Sequence, residues 1–263
     1  MTILDKILET KRAEVAASRR AGGLDDILAA AREVTRPVVS FSEALAASTT
    51  GIIAEFKRRS PSRGFINEGA DVAAVVAGYA GAGAAAISVL TDRDWFAGSL
   101  DDLRAARRAA PNTPLLRKDF VVDEYQICEA RTAGADAVLL IAAALSPERC
   151  AELAAFAAGL GLEVLLELHD ESELGHVCDG VSVVGINNRD LATFVTDTAL
   201  SERMAPLLPR DAVRISESGI SSPATVRRLR ENGFRGFLMG ENFMKQPDPA
   251  AALRGFINEL RSC

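Results

Sequence analysis

The stretch AGADAVLLIAAALSPERCAELAAFAAGLGLEVLLEL, residues 133–168, contains one full repeat of the chain's architecture. A glycine turn leads into the apolar run 137–141 (AVLLI), whose length and bulk suit a buried strand. Ser146 then sets a capping hydroxyl in front of Pro147, a pair that opens helices, and the alanine-rich segment 147–158 continues from it. Gly159 and Gly161 close that helix, because glycine accepts the left-handed conformation at a helix exit, and the strand 163–168 (EVLLEL) follows. The same unit recurs in both directions. Strands are predicted at 51–56, 85–90, 115–118, 137–141, 163–168, 183–187, 213–218 and 236–239, with helices at 72–79, 100–109, 124–133, 147–158, 170–177, 198–207, 223–232 and 249–260. Eight strand–helix units in this length fit a closed parallel (β/α)8 TIM barrel better than an open doubly wound sheet, the other architecture this pattern allows.

Residues 1–50 do not follow the repeat. Ile3, Leu4, Ile7, Leu8 and Val15 recur at helical spacing, and 24–31 and 41–47 read as further short helices. They form an N-terminal helical extension, treated as part of the same domain as the barrel at 51–263, since no Ser/Gly-rich linker separates them. The pattern suits either a cap on the barrel bottom or a reach over its top.

Composition narrows the function classes. The 263 residues are 48% hydrophobic and 25% charged, an ordinary globular mixture. A net charge of −6 argues against nucleic acid or an anionic membrane as partner, so any anion site has to be built locally. Residues 72–90 lack charge, but Gly78, Gly81 and Gly83 interrupt them, and they read as helix, turn and strand rather than a membrane span. Cys128, Cys150, Cys178 and Cys263 show no metal-ligand spacing and read as inert thiols in a reducing cytoplasm. Two histidines and no HExxH motif leave metal catalysis without ligands. His169 and His176 are expected to be solvated.

In a parallel barrel, chemistry collects at the carboxyl ends of the strands. Glu55 and Lys57 end strand one on a shared side, Lys118 ends strand three, Glu167 strand five, Asn187 and Arg189 follow strand six, and Glu217 ends strand seven. A single charge at a strand end is ordinarily just solvated. Recurrence at one level on strands one, three, five and seven points instead to groups that pair with each other or with ligand, as a structural ion-pair network or as a catalytic Lys/Glu set. Ser218, Gly219, Gly240 and Glu241 close strands seven and eight with small residues, where barrels often hold phosphate, and Lys57 or Arg189 adds charge there. Phe96, Phe120 and Trp95 flank the mouth, as loop packing or as walls for a planar ring.

These motifs, EFKRRSPSRG at 55–64, LTD at 90–92, FAGS at 96–99, LRKDF at 116–120, GINNRDL at 185–191 and ESGI at 217–220, closely resemble those of the indole-3-glycerol phosphate synthase family. The resemblance runs along nearly the whole chain. It implies a metal-free and cofactor-free lyase that converts 1-(2-carboxyphenylamino)-1-deoxyribulose 5-phosphate to indole-3-glycerol phosphate with loss of CO2 and water, acting as a monomer or weak homo-oligomer. It further implies Lys118 as general acid, Glu167 as the proton carrier of dehydration, Glu55 and Asn187 as stabilisers, and Lys57 on the substrate carboxylate or supporting the acid. Glu217 completes the polar network, Ser60, Ser218, Gly219, Gly240 and the Glu241 backbone hold phosphate with Arg189 in support, and Phe96 and Phe120 line the anthranilate pocket. Glu241 departs from the serine of some relatives, which removes a side-chain hydroxyl and leaves the backbone contact. The loop 58–67 is expected to close over substrate. The competing readings are a phosphoribosylanthranilate isomerase, which needs a Cys/Asp pair absent from these strand ends, and a non-catalytic phosphate-ligand binder.

Overall fold

The computed structural model describes residues 2–190 and 193–262; Leu191 of the GINNRDL motif and Cys263 lie outside them. Eight parallel strands close into a barrel: β1 (Ile52–Phe56), β2 (Ala86–Leu90), β3 (Leu115–Lys118), β4 (Ala137–Ile141), β5 (Glu163–Leu168), β6 (Val183–Asn187), β7 (Val213–Glu217) and β8 (Gly236–Met239). Closure comes from β1 pairing with β8 in the register Ile52 to Phe237 and Ile53 to Leu238, which rules out the open sheet. Each strand is followed by helical structure that covers the outside. Gly83, Gly134, Gly161 and Gly233, the turn glycines of the repeat, all take positive φ between 74° and 94°.

Side chains alternate between two cores. Ala54, Phe56, Val89, Val138, Leu140, Leu166 and Ile186 point outward against the helices. Ile53, Leu116, Leu165 and Ile215 point inward, one from each odd strand, and are fully buried. Two residues further along each of these strands stand Glu55, Lys118, Glu167 and Glu217. Stacking in layers contributed by alternate strands is how such barrels fill, so the four ionisable groups form the layer directly above an apolar one.

The extension does both things its sequence allowed. Its third helix, α3 (Phe41–Ala47), plugs the barrel bottom: Phe41 and Leu45 join the interior cluster, and Glu163 at the start of β5 accepts bonds from the Phe41 and Ser42 amides and the Ser40 hydroxyl. The first helix, α1 (Ile3–Gly22), lies instead across the top. Lys11 is 1% exposed, and its Nζ lies 2.9 Å from Asp92 and 3.0 Å from Asp119, which follow β2 and β3. Asp119 also binds Arg117 at 2.9 Å. Burial alone would raise the Asp119 pKa, but Arg117 and Lys11 hold it down at about 2.

Four local expectations need correction. Residues expected as helix 170–177 form the 3-10 turn Glu171–His176, started by Asp170, whose side chain accepts from the Ser172 amide. The helix expected at 198–207 breaks into Ala199–Met204 and the 3-10 turn Ala205–Leu207, because Pro206 has no N–H to continue it. Trp95 and Phe96 belong to a one-turn helix, Arg93–Phe96, capped by Asp92. Within 58–67 a short ribbon pairs Arg59 with Phe65 and Ser60 with Gly64.

Because Lys11 is the buried cation between two buried carboxylates, Lys11→Met is expected to cost about 3–5 kcal/mol, the cost of leaving buried charge uncompensated. Urea unfolding of the variant against the parent protein measures it; an unchanged midpoint would show that the pairing adds nothing to stability.

Candidate active site

A cavity of about 410 Å³ opens at the carboxyl ends of the strands. All fourteen sequence-selected residues line it: Glu55, Lys57, Ser60, Phe96, Lys118, Phe120, Glu167, Asn187, Arg189, Glu217, Ser218, Gly219, Gly240 and Glu241. Trp95 does not. The floor is the charged layer. Lys118 Nζ sits 3.1 Å from Glu167 and 3.7 Å from Glu217, and Lys57 pairs with Glu55 on the opposite side.

Electrostatics splits the carboxylates into two kinds. Burial lowers the Lys118 pKa, but Glu167, Glu217 and Glu55 more than offset it, so the ammonium stays charged. Burial likewise raises Glu167, yet Lys118, His169 and the Asn187 amide hold it well below the usual carboxylate range. Glu217 goes the other way: burial and the charge on Glu167 push it up to about 8 despite Lys118. Like charges sharing one site cannot both ionise freely, so the pair holds one proton, on Glu217. With that proton in place, Glu55 and Glu167 balance Lys57 and Lys118.

The cavity's two ends differ. Phe96 and Phe120 face each other at one end, ring centroids 6.1 Å apart, and Ile3, Leu4 and Ile7 of α1 share the same cavity wall. At the other end Ser218 and Gly219 both take positive φ, 65° and 75°. Arg189 donates to Ser62 at 3.1 Å, joining the loops after β6 and β1. Gly240 serves a purpose that its sequence did not indicate: a Cβ there would collide with the Glu55 carboxylate, so glycine makes room for the charged layer. The Glu241 carboxylate lies 3.5 Å from Arg63.

Several residues of this region escaped the sequence reading. Arg63, Thr196 and Lys245 line the cavity from loops, where no periodicity marks them. Lys11 carried a usable signal, a cation in register with the apolar stripe Leu4, Ile7, Leu8 and Val15. The two histidines are not solvated. His169 keeps only 10% of its side chain exposed, between Glu167 and Glu173, and His176 lies against the Leu145 and Glu173 carbonyls. Cys128 and Cys150 are buried with thiols pushed up to about 11 and about 12 by burial, consistent with inertness. Among the described residues no group of three or more His, Cys, Asp or Glu is arranged to hold a metal ion, and no helix is long and apolar enough to cross a membrane.

The family model described as indole-3-glycerol phosphate synthase matches residues 4–256. The chain belongs to the indole-3-glycerol phosphate synthase family. A synthase of that name from Bacteroides thetaiotaomicron is 51% identical over 259 residues, covering 98% of this chain and 99% of the relative. One from Laribacter hongkongensis is 48% identical, covering 95% and 97%. A chain of the Pyrococcus furiosus tryptophan synthase complex superposes with a TM-score of 0.59 at 14% identity, covering 81% of this chain and 98% of that one, which speaks to the barrel fold alone. Membership makes the chain an enzyme, a carboxy-lyase of tryptophan biosynthesis, and sets aside the isomerase and the non-catalytic binder.

The Glu217 shift carries a sign. The folded state holds a proton that the unfolded chain releases near the ordinary carboxylate value, so this group's contribution makes stability fall as pH rises from there to about 8. Glu217→Gln is expected to flatten that fall, as read from urea midpoints between pH 5 and 8; a parallel curve in the variant would place the proton elsewhere.

Proposed function

We propose that the charged layer performs the ring closure, decarboxylation and dehydration of 1-(2-carboxyphenylamino)-1-deoxyribulose 5-phosphate, with Lys118 as the acid that starts it. The observation that carries this assignment is the Lys118 ammonium at the cavity floor, 3.1 Å from the ionised Glu167 carboxylate. The ring carbon bearing the carboxylate attacks the ketone carbon, a carbon–carbon bond forms, and the ketone oxygen takes a proton from Lys118. An alkoxide forming in a site with little water is far more basic than an amine, so a firmly held ammonium still transfers its proton downhill. The carboxylate then leaves as CO2, and its bonding electrons restore the aromatic ring. Glu167, ionised and next to Lys118, takes the proton from the adjacent methylene as the hydroxyl departs as water with the proton that Glu217 holds.

The remaining residues position. Asn187 donates to Glu167 and fixes the direction of its lone pairs. Lys57 and Glu55 form the pair nearest the substrate carboxylate. Phe96 and Phe120 line the pocket for the anthranilate ring, while Ser60, Ser218, Gly219, Arg189 and the backbone at Gly240 and Glu241 hold the phosphate. Support for the phosphate end includes the Ser60 hydroxyl and the Arg189 Nε, both buried without a hydrogen-bond partner among the described residues. The extension and barrel work as one catalytic domain in this reading, since α1 supplies cavity wall and α3 closes the bottom. The loop 58–67 closes over bound substrate, and the enzyme works as a cytoplasmic monomer or weak homo-oligomer.

Lys118→Ala is expected to lower kcat by about 10²–10⁴-fold, the contribution of a positioned proton donor, with KM within a few fold. Indole fluorescence on mixing enzyme with substrate reads both constants. A variant that retains parental kcat would move the acid to another residue.

A further inference from the structure

The proposed chemistry does not balance in protons within the floor layer. Two protons go to the substrate oxygen, one making the hydroxyl and one making the departing water. One proton comes off carbon. CO2 leaves from a carboxylate without releasing any, so each turnover takes up one proton from solvent, and the floor layer ends each cycle one proton short. That layer lies beneath α1 and deep in the barrel, with Glu167 and Glu217 each 2% exposed.

One side chain bridges this layer and the surface. His169, the first residue after β5, puts Nε2 3.2 Å from Glu167 and Nδ1 3.5 Å from Glu173. Glu173 stands on the turn Glu171–His176, is partly exposed, and is fixed there by the His169 backbone amide at 2.5 Å. Neither ring nitrogen forms a hydrogen bond among the described residues, and the ring's two carboxylate contacts are these ion-pair approaches. Beyond Glu167 on the inner side lies Lys118, 3.1 Å away. His176 of the same turn faces elsewhere, with its ring nitrogens on the Leu145 and Glu173 carbonyls.

We propose that Glu173, His169 and Glu167 form a proton relay that reloads the active site from solvent after each turnover. The proposal rests on the assignment of Glu167 and Lys118 above. His169, charged on both nitrogens, gives the Nε2 proton to Glu167, which passes it to the Lys118 amine, and is left with one proton on Nδ1. Rotation of the ring then turns the bare nitrogen to the Glu173 side, where it takes a proton that Glu173 has picked up from solvent. Burial would lower the His169 pKa, but Glu167 and Glu173 raise it to about 10, so the ring is loaded at neutral pH. His169 is a positioning and relay residue, since it acts on substrate only through Glu167.

Rapid mixing of His169→Gln with excess substrate tests the relay, because the first turnover uses protons already present and later ones need reloading. The expected trace is one product per active site at the parental rate. A steady phase follows, slower by about a hundredfold, the low end of what a positioned proton donor contributes. Imidazole added to His169→Ala is expected to restore the steady phase, and Glu173→Gln, which keeps the ring, to slow the same phase. A single-phase trace from His169→Gln, whether at the parental rate or slowed from the first turnover onward, overturns the relay. Absence of indole product from the parental enzyme would instead overturn the functional assignment beneath it.

Discussion

A buried layer of alternating charge governs this molecule. The strand period of two places Glu55, Lys118, Glu167 and Glu217 on the inside of the odd strands, at a height where water is largely excluded. Taking an ion from water into such an interior costs several kcal/mol even after relaxation, so the layer persists only if its charges cancel locally. Lys118 among three carboxylates is not enough. Lys57 supplies a second cation, Glu217 keeps a proton, and Gly240 gives up its side chain so that Glu55 can stay in place.

The same constraint explains the lid. Asp92 and Asp119 follow the strands that carry the layer's neighbours, and both are buried. Lys11 reaches down from α1 to compensate them, and Arg117 takes the other face of Asp119. The helix is thus held over the cavity by this charge pairing together with its buried apolar stripe Leu4, Ile7, Leu8 and Val15, while its Ile3, Leu4 and Ile7 complete the cavity wall. The phenylalanine next to Asp119 also depends on this network, for the Phe120 amide donates to Asp119 Oδ1 at 2.8 Å.

Legibility in the sequence followed periodicity. The eight strands, the turn glycines and the odd-strand charges could be read because alternation and helix exits leave a regular trace. What could not be read lies where regular structure ends. The turn at 171–176 and the break at Pro206 depend on local bonding over three or four residues, too short a span for a periodic signal. Arg63, Thr196 and Lys245 approach the cavity from loops whose path is fixed only by tertiary packing. His169 is one residue past β5, where strand alternation no longer says which way a side chain points; only the neighbouring Glu167 and the Glu173 four residues later hinted at its burial between carboxylates.

The cavity's polarity then orients a substrate that is anionic at both ends. An overall charge of −6 repels such a molecule at long range, and salt screens that repulsion beyond about 8–10 Å. Inside the cavity the local pattern takes over. In the proposed orientation the aromatic pair of Phe96 and Phe120 takes the planar ring, and the end at Ser218 and Gly219 takes the phosphate. A reversed substrate would set a dianion against phenylalanine rings and desolvate it without donors. With both ends held as proposed, the bond-forming carbons fall between them, over the floor where Lys118 stands. Positioning and proton supply are therefore the whole of the protein's task, because the energy of the reaction is already present in a carboxylate that leaves as gas and a ring that regains aromaticity.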